Sequence, residues 1–164
     1  MAAEETSPLI KQLSAPQSDP SAKFSALAGL SDIAADSYGA DAANLAAVLR
    51  ESGCIAVLVQ QMEDPGMDVQ QCAMSLVGNL LTDVFDPEAR TSLKMFAAAG
   101  GLPLLQQKLK AEFPINLFAS AALQNVTALD PEECCATLRE LGCDAVLAEL
   151  AQADDEQVCR RHRS

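Results

Sequence analysis

Ala73-Met74-Ser75-Leu76-Val77-Gly78-Asn79-Leu80 returns 46 residues further on as Ala119-Ser120-Ala121-Ala122-Leu123-Gln124-Asn125-Val126. A fainter copy, Ala26-Leu27-Ala28-Gly29-Leu30, precedes both and carries Gly29 where the asparagine stands in the others. Around the first copy, Val69, Cys72, Ala73, Leu76, Val77 and Leu80 recur at spacings of three and four, which places them on one face of a helix. Ile115, Ala119, Ala122, Leu123 and Val126 do the same one period later. Self-similarity at this period is the mark of a repeat array, in which each unit buries its apolar face against its neighbours.

A second theme alternates with the first. Ser52-Gly53-Cys54-Ile55-Ala56-Val57-Leu58, Ala99-Gly100-Gly101-Leu102-Pro103-Leu104-Leu105 and Leu141-Gly142-Cys143-Asp144-Ala145-Val146-Leu147 each set a Gly five residues before a Leu that opens an apolar stripe. Gly suits a helix-to-helix turn that needs positive φ. Asp64-Pro65-Gly66 and Phe113-Pro114 stand before the asparagine-bearing helices, where Pro is tolerated only at a start. Asp86-Pro87-Glu88 and Asp130-Pro131-Glu132 are predicted to open the next helices, with Asp as N-cap and Pro at the first helical position. One unit therefore reads as a short helix, a Gly turn, a second helix, a break and a longer third helix. The expected division is one repeat domain over 1–164: a partial repeat 8–35, repeats 41–82 and 87–129, a partial repeat 131–158 and a basic tail 159–164. Ser37-Tyr38-Gly39 and residues 14–21 read as loops.

Composition agrees with helix. The 164 residues are 49% hydrophobic with five Phe, one Tyr and no Trp, so the core must be built from Leu, Ala, Val, Ile and Met. The net charge is -12, and setting aside Arg160, Arg161 and Arg163 leaves 8 basic against 23 acidic residues. Such a surface repels phosphate backbones and suits a basic protein segment better than nucleic acid, although acid also serves simple solubility. No secretory or transit signal is legible, and no apolar run reaches the roughly 18 residues of a membrane span. Six scattered Cys in apolar helical surroundings suit reduced thiols in the cytosol or nucleus better than a disulfide framework.

On these residues the chain resembles the armadillo repeat family. The Gly between first and second helices and the Ala-x-x-x-Leu-x-Asn-Leu type signature of Ala73–Leu80 and Ala119–Val126 carry the resemblance, with Val77 and Leu123 in the Leu position. HEAT repeats are the close alternative, but have two helices per unit and lack this pairing of Gly with Asn. The resemblance implies an all-α, right-handed α-solenoid of three-helix repeats. It also implies a non-enzymatic role, with third helices lining a concave groove for an extended peptide or partner protein. By the same resemblance, Asn79 and Asn125 would contact the peptide backbone, with Ser75 and Ala121 one turn before them. An amide both donates and accepts, so it can pair with a peptide N–H and C=O whatever the side chains are. The other reading of these asparagines is that they bond only neighbouring backbone. Import adaptors of the family place Trp where Ser75 and Ala121 stand, so the groove here should be smoother.

Catalytic and metal patterns are weak. The single His, His162, lies in the basic tail, so a Cys–His pair could be built only there. No Cys-x-x-Cys occurs, and adjacent Cys134-Cys135 do not have zinc-ligand spacing. Ala99-Gly100-Gly101 lacks the Lys and Ser or Thr of a phosphate loop. No cofactor is expected. The last unit breaks at Asp154-Asp155-Glu156 with no asparagine signature after it. The solenoid is therefore expected to be incomplete at its C-terminal end, which makes that end a candidate for self-association or for stacking within a longer scaffold.

Overall fold

In a computed structural model that describes residues 2–15, 19–149 and 151, the chain is all-α, with no strand among the described residues. The helices are α1 Ala2–Ser14, α2 Pro20–Ala35, α3 Ala40–Glu51, α4 Cys54–Gln61, α5 Met67–Leu80, α6 Ala89–Ala98, α7 Gly101–Lys108, α8 Ile115–Leu129, α9 Pro131–Glu140 and α10, residues 143–149. They stack as an α-solenoid. The longer helices α2, α5 and α8 form one row, each packed on the next, while α1, α4 and α7 back them from a second layer. The short helices α3 and α6 bridge the layers: α3 lies against α1 and α4, and α6 against α4 and α7.

The predicted helical face is the face that is buried. Ala73, Leu76, Val77 and Leu80 of α5 and Ala119, Ala122, Leu123 and Val126 of α8 join a single apolar cluster with Leu27 and Leu30 of α2. Burying a Leu or Val side chain contributes about 1.5–3 kcal/mol, so the shared face, rather than any one unit, holds the row together. Small residues matter as much as large ones. Fully buried Ala26, Ala73 and Ala119 present no bulk between neighbouring helices.

Each glycine of the second theme turns the chain sharply. Gly53, Gly100 and Gly142 adopt φ of 71°, 84° and 74°. In all three the glycine N–H donates to the carbonyl three residues back: Arg50 at 3.1 Å, Ala97 at 3.0 Å and Arg139 at 2.9 Å. The left-handed residue ends one helix while the next begins at once, and α3 and α4 meet at 84°. Gly101 has a different reason. Its φ is not positive, but a Cβ there would run into the ring of buried Phe96. The positions four before and one after the turn glycine hold Leu49 with Cys54, Phe96 with Gly101, and Leu138 with Cys143. The larger ring is matched by the smaller neighbour, so total volume is kept across repeats. Cys54 and Cys143 are thus packing residues, and burial pushes the Cys54 thiol up to about 12.

Two sequence expectations about helix starts are corrected. Helix α1 begins at Ala2 and carries Pro8 inside it, six residues before the expected start. Helix α6 begins at Ala89, so Asp86 is not its N-cap. One oxygen of Asp86 accepts the Glu88 N–H at 2.9 Å, while the other faces Arg50 and Ser92. Competition from these buried partners holds residues 86–88 in a turn. Pro131 does stand at the first position of α9, as expected. The acidic break 154–156, the rest of the last unit, Cys159 and His162 lie outside the described residues. No single helix among the described residues is long and apolar enough to cross a membrane.

Candidate partner-binding face

The row α2–α5–α8 buries one side of each helix and leaves a stripe on the other. On α5 this stripe holds half-buried Gln71, Ser75 and Asn79, with half-buried Thr82 just past the helix end; on α8 it holds exposed Leu117, Ala121 and Ala128 with half-buried Asn125. Spacings of three and four put each set on one side of its helix. The four predicted partner-binding residues, Ser75, Asn79, Ala121 and Asn125, therefore occupy matching places on neighbouring third helices.

The two asparagines are in different states. Asn125 Nδ2 donates to the Gly78 carbonyl at 3.0 Å, linking α8 to α5. Its other face borders a small recess of about 70 Å³ shared with Thr82 and Asp83. Asn79 makes no side-chain hydrogen bond among the described residues, although its repeat position is the same. One unit earlier the position is Gly29, where a Cβ would come within 3.2 Å of the Leu9 side chain. Helix α1 crowds that place, which gives a steric reason for glycine there.

Carboxylates border the same side. Cys72, two turns before Asn79, has its thiol pKa raised by burial, with Asp68 and Asp32 also raising it and the nearby Ser31 hydroxyl opposing them. Asp32 of α2 and Asp68 of α5 thus each lie near enough to Cys72 to act on its thiol. Sequence reasoning missed them because acid is plentiful throughout the chain; their only signal is register, Asp32 standing three residues after Gly29 as Thr82 stands after Asn79. Near the start of α5, Lys108 donates to Gln70 Oε1 at 2.7 Å, and Gln70 donates to the Asp64 carbonyl at 2.6 Å. Burial lowers the Lys108 pKa and Glu63 works against that shift.

The shifted thiols, Cys54, Cys72 and Cys143, are all shifted upward, away from the thiolate that nucleophilic chemistry requires. Among the described residues, no three His, Cys, Asp or Glu side chains gather to hold a metal ion. The surface offers hydrogen-bonding amides, carboxylates and the exposed apolar side chains of Leu117, Ala121 and Ala128.

Comparison with solved structures identifies the architecture. The designed armadillo repeat protein YIII(Dq)4CqI superposes with a TM-score of 0.71 at 25% identity, over 91% of this chain and 58% of its own. A second designed armadillo repeat protein, YIII(Dq.V1)4CPAF in complex with peptide (KR)4, gives 0.70 at 25% identity, over 89% and 56%. An engineered protein gives 0.74 at 22% identity over 96% and 65%, a likeness of fold alone. The chain spans a little over half the length of the two designed proteins. No protein-family model matches the sequence, and the curated proteins contain no match to it. The fold is an armadillo-like repeat solenoid, a scaffold suited to protein binding.

Proposed function

We propose that this solenoid is an interaction module that holds an extended peptide or partner segment along the α2–α5–α8 row, through Ser75, Asn79, Ala121 and Asn125. The observation that carries this reading is Asn79: a half-buried amide on the stripe that no described residue engages, two turns from Cys72, whose thiol feels the charges of Asp32 and Asp68. An amide so placed can donate to and accept from a passing backbone. The nearby carboxylates and the net charge of -12 favour a basic occupant, as does the (KR)4 peptide held by the designed armadillo protein. Asn125 contributes mainly its Oδ1, because its Nδ2 is already on Gly78. Titrating a fluorescent (KR)4 peptide at low salt tests this. Asn79→Ala with Asn125→Ala should weaken binding about tenfold, two hydrogen bonds at ~1 kcal/mol each less a margin. Asn79→Ala alone should account for most of it. Unchanged affinity in the double variant would remove these asparagines from the interface.

A second reading rests on its own observation. Leu58 and Leu105, five residues after their turn glycines, are 0% exposed, while the equivalent Leu147 is 40% exposed. It borders an apolar recess with Leu123, Leu138 and Arg139. This end would dock a second copy or a further helical unit, consistent with a scaffold role. Light scattering behind size-exclusion chromatography should show mass rising with concentration; a monomer mass at every loading rules out self-docking.

A further inference from the structure

The junction between α3 and α6 is filled by an arginine, and the next junction is hollow. Arg50, three residues before Gly53, reaches from α3 to Asp86 and to Ser92 Oγ. One unit later the residue three before Gly100 is Ala97. The next Asp-Pro-Glu supplies Asp130 for Asp86, and Cys134, eight before Gly142 as Ser92 is eight before Gly100, replaces the serine. Ala97, Asp130 and Cys134 all line one cavity of about 440 Å³ between α6, the start of α7 and α9. Helix α4 packs on α6, whereas α7 makes no comparable packing on α9, which leaves the space open among the described residues. Leu93, Leu102 and Leu141 give it an apolar floor.

Its charge has moved as well. Arg90 and Lys94 stand on the α6 wall, one turn apart, where the preceding unit has Ala43 and Ala47. Arg90 is 3.4 Å from the Asp130 carboxylate, with its side chain 68% exposed. Lys94 is exposed and enters no ion pair among the described residues. In a chain of net charge -12, this rim is a local positive spot over an apolar hollow of the size that ligand pockets have.

We propose that the cavity between α6, α7 and α9 binds a small organic anion with an apolar body. A medium-chain carboxylate is the simplest case. Its hydrocarbon part would occupy the volume that Arg50 fills one unit earlier, and its carboxylate would sit at Lys94. Arg90 would adjoin it and keep Asp130 neutralised. The site is separate from the third-helix face and does not depend on that face binding a peptide.

Titration of the ¹⁵N-labelled protein with decanoate, below its micelle concentration, tests the proposal. Amide shifts should concentrate in α6, α7 and α9. Ala97→Arg, which refills the hollow as Arg50 does, should abolish them. Lys94→Glu, at an exposed position that should leave the fold intact, should weaken binding about fivefold, as expected of a rim ion pair. Decanol should bind more weakly than decanoate. Shifts spread evenly over all helices, or full binding by Ala97→Arg, overturn the site. If Ala97→Arg does not fold, as judged by its circular dichroism, the other two comparisons decide: equal affinity of Lys94→Glu and wild type, or of decanol and decanoate, overturns the anion.

Discussion

Asp86→Ala should destabilise the solenoid by about 3–5 kcal/mol, the range for stripping one partner from a buried ion pair. The Asp86 side chain is 0% exposed and that of Arg50 10%. Its carboxylate receives Arg50 Nη1, the Ser92 hydroxyl and the Glu88 N–H, so one group joins α3, the turn after α5 and α6. Alanine leaves the guanidinium in the same poorly hydrated place, with the neutral Ser92 hydroxyl at 3.4 Å and, as its one remaining carboxylate, Glu88 at 3.7 Å, 65% exposed. Asp130→Ala provides the comparison. That carboxylate meets Arg90 at 3.4 Å with both side chains in contact with solvent, and such pairs contribute about 0–1 kcal/mol. Urea unfolding followed by circular dichroism should separate the two variants by several-fold in the stability lost. Because a solenoid is held by neighbour interfaces, the Asp86→Ala transition should also broaden as α6–α10 uncouple from α1–α5. Replacing Arg50 and Asp86 together by Met and Leu should cost less than Asp86→Ala alone, since no buried charge is then orphaned. Equal losses in Asp86→Ala and Asp130→Ala would mean that the pair does not bind the two units.

The helices were legible in the sequence because their causes are local. Period, Pro breaks and Gly turns act within a few residues, and Gly53, Gly100 and Gly142 carry the positive φ that their spacing implies. The rows α2–α5–α8 followed from the repeated apolar face. What was hidden depends on pairing across units. Asp86 has the sequence of an N-cap, but Arg50, 36 residues earlier, decides where its carboxylate points. Asn125 and Asn79 share a signature, yet only Asn125 reaches a neighbouring carbonyl, which depends on the approach of α8 to α5. Pro8 reads as a boundary by propensity, and the packing of α1 on α2 overrides it. The cavity beside Ala97 shows only when the residues around two junctions are set side by side in space.

Gly101 yields the other large effect. Gly101→Cys, which copies the residue at Cys54 and Cys143, should lower stability by about 3 kcal/mol, at the upper end of overpacking. Propensity points the other way: Gly101 is the first residue of α7, its φ is not positive, and replacing glycine in a helix is favourable by up to ~1 kcal/mol. The loss must therefore come from the Phe96 ring, which is 1% exposed and lies where the new Cβ would go. Phe96→Leu alone should cost about 1–2 kcal/mol through the cavity it leaves beside Gly101. The double variant restores the Leu–Cys pairing of the turns at Gly53 and Gly142, and should recover most of the stability. The expected coupling is ~2–3 kcal/mol in a double-mutant cycle, because the residues share one space. Additive losses would show that the repeats do not trade volume between these two positions, and Gly101 would then need another explanation.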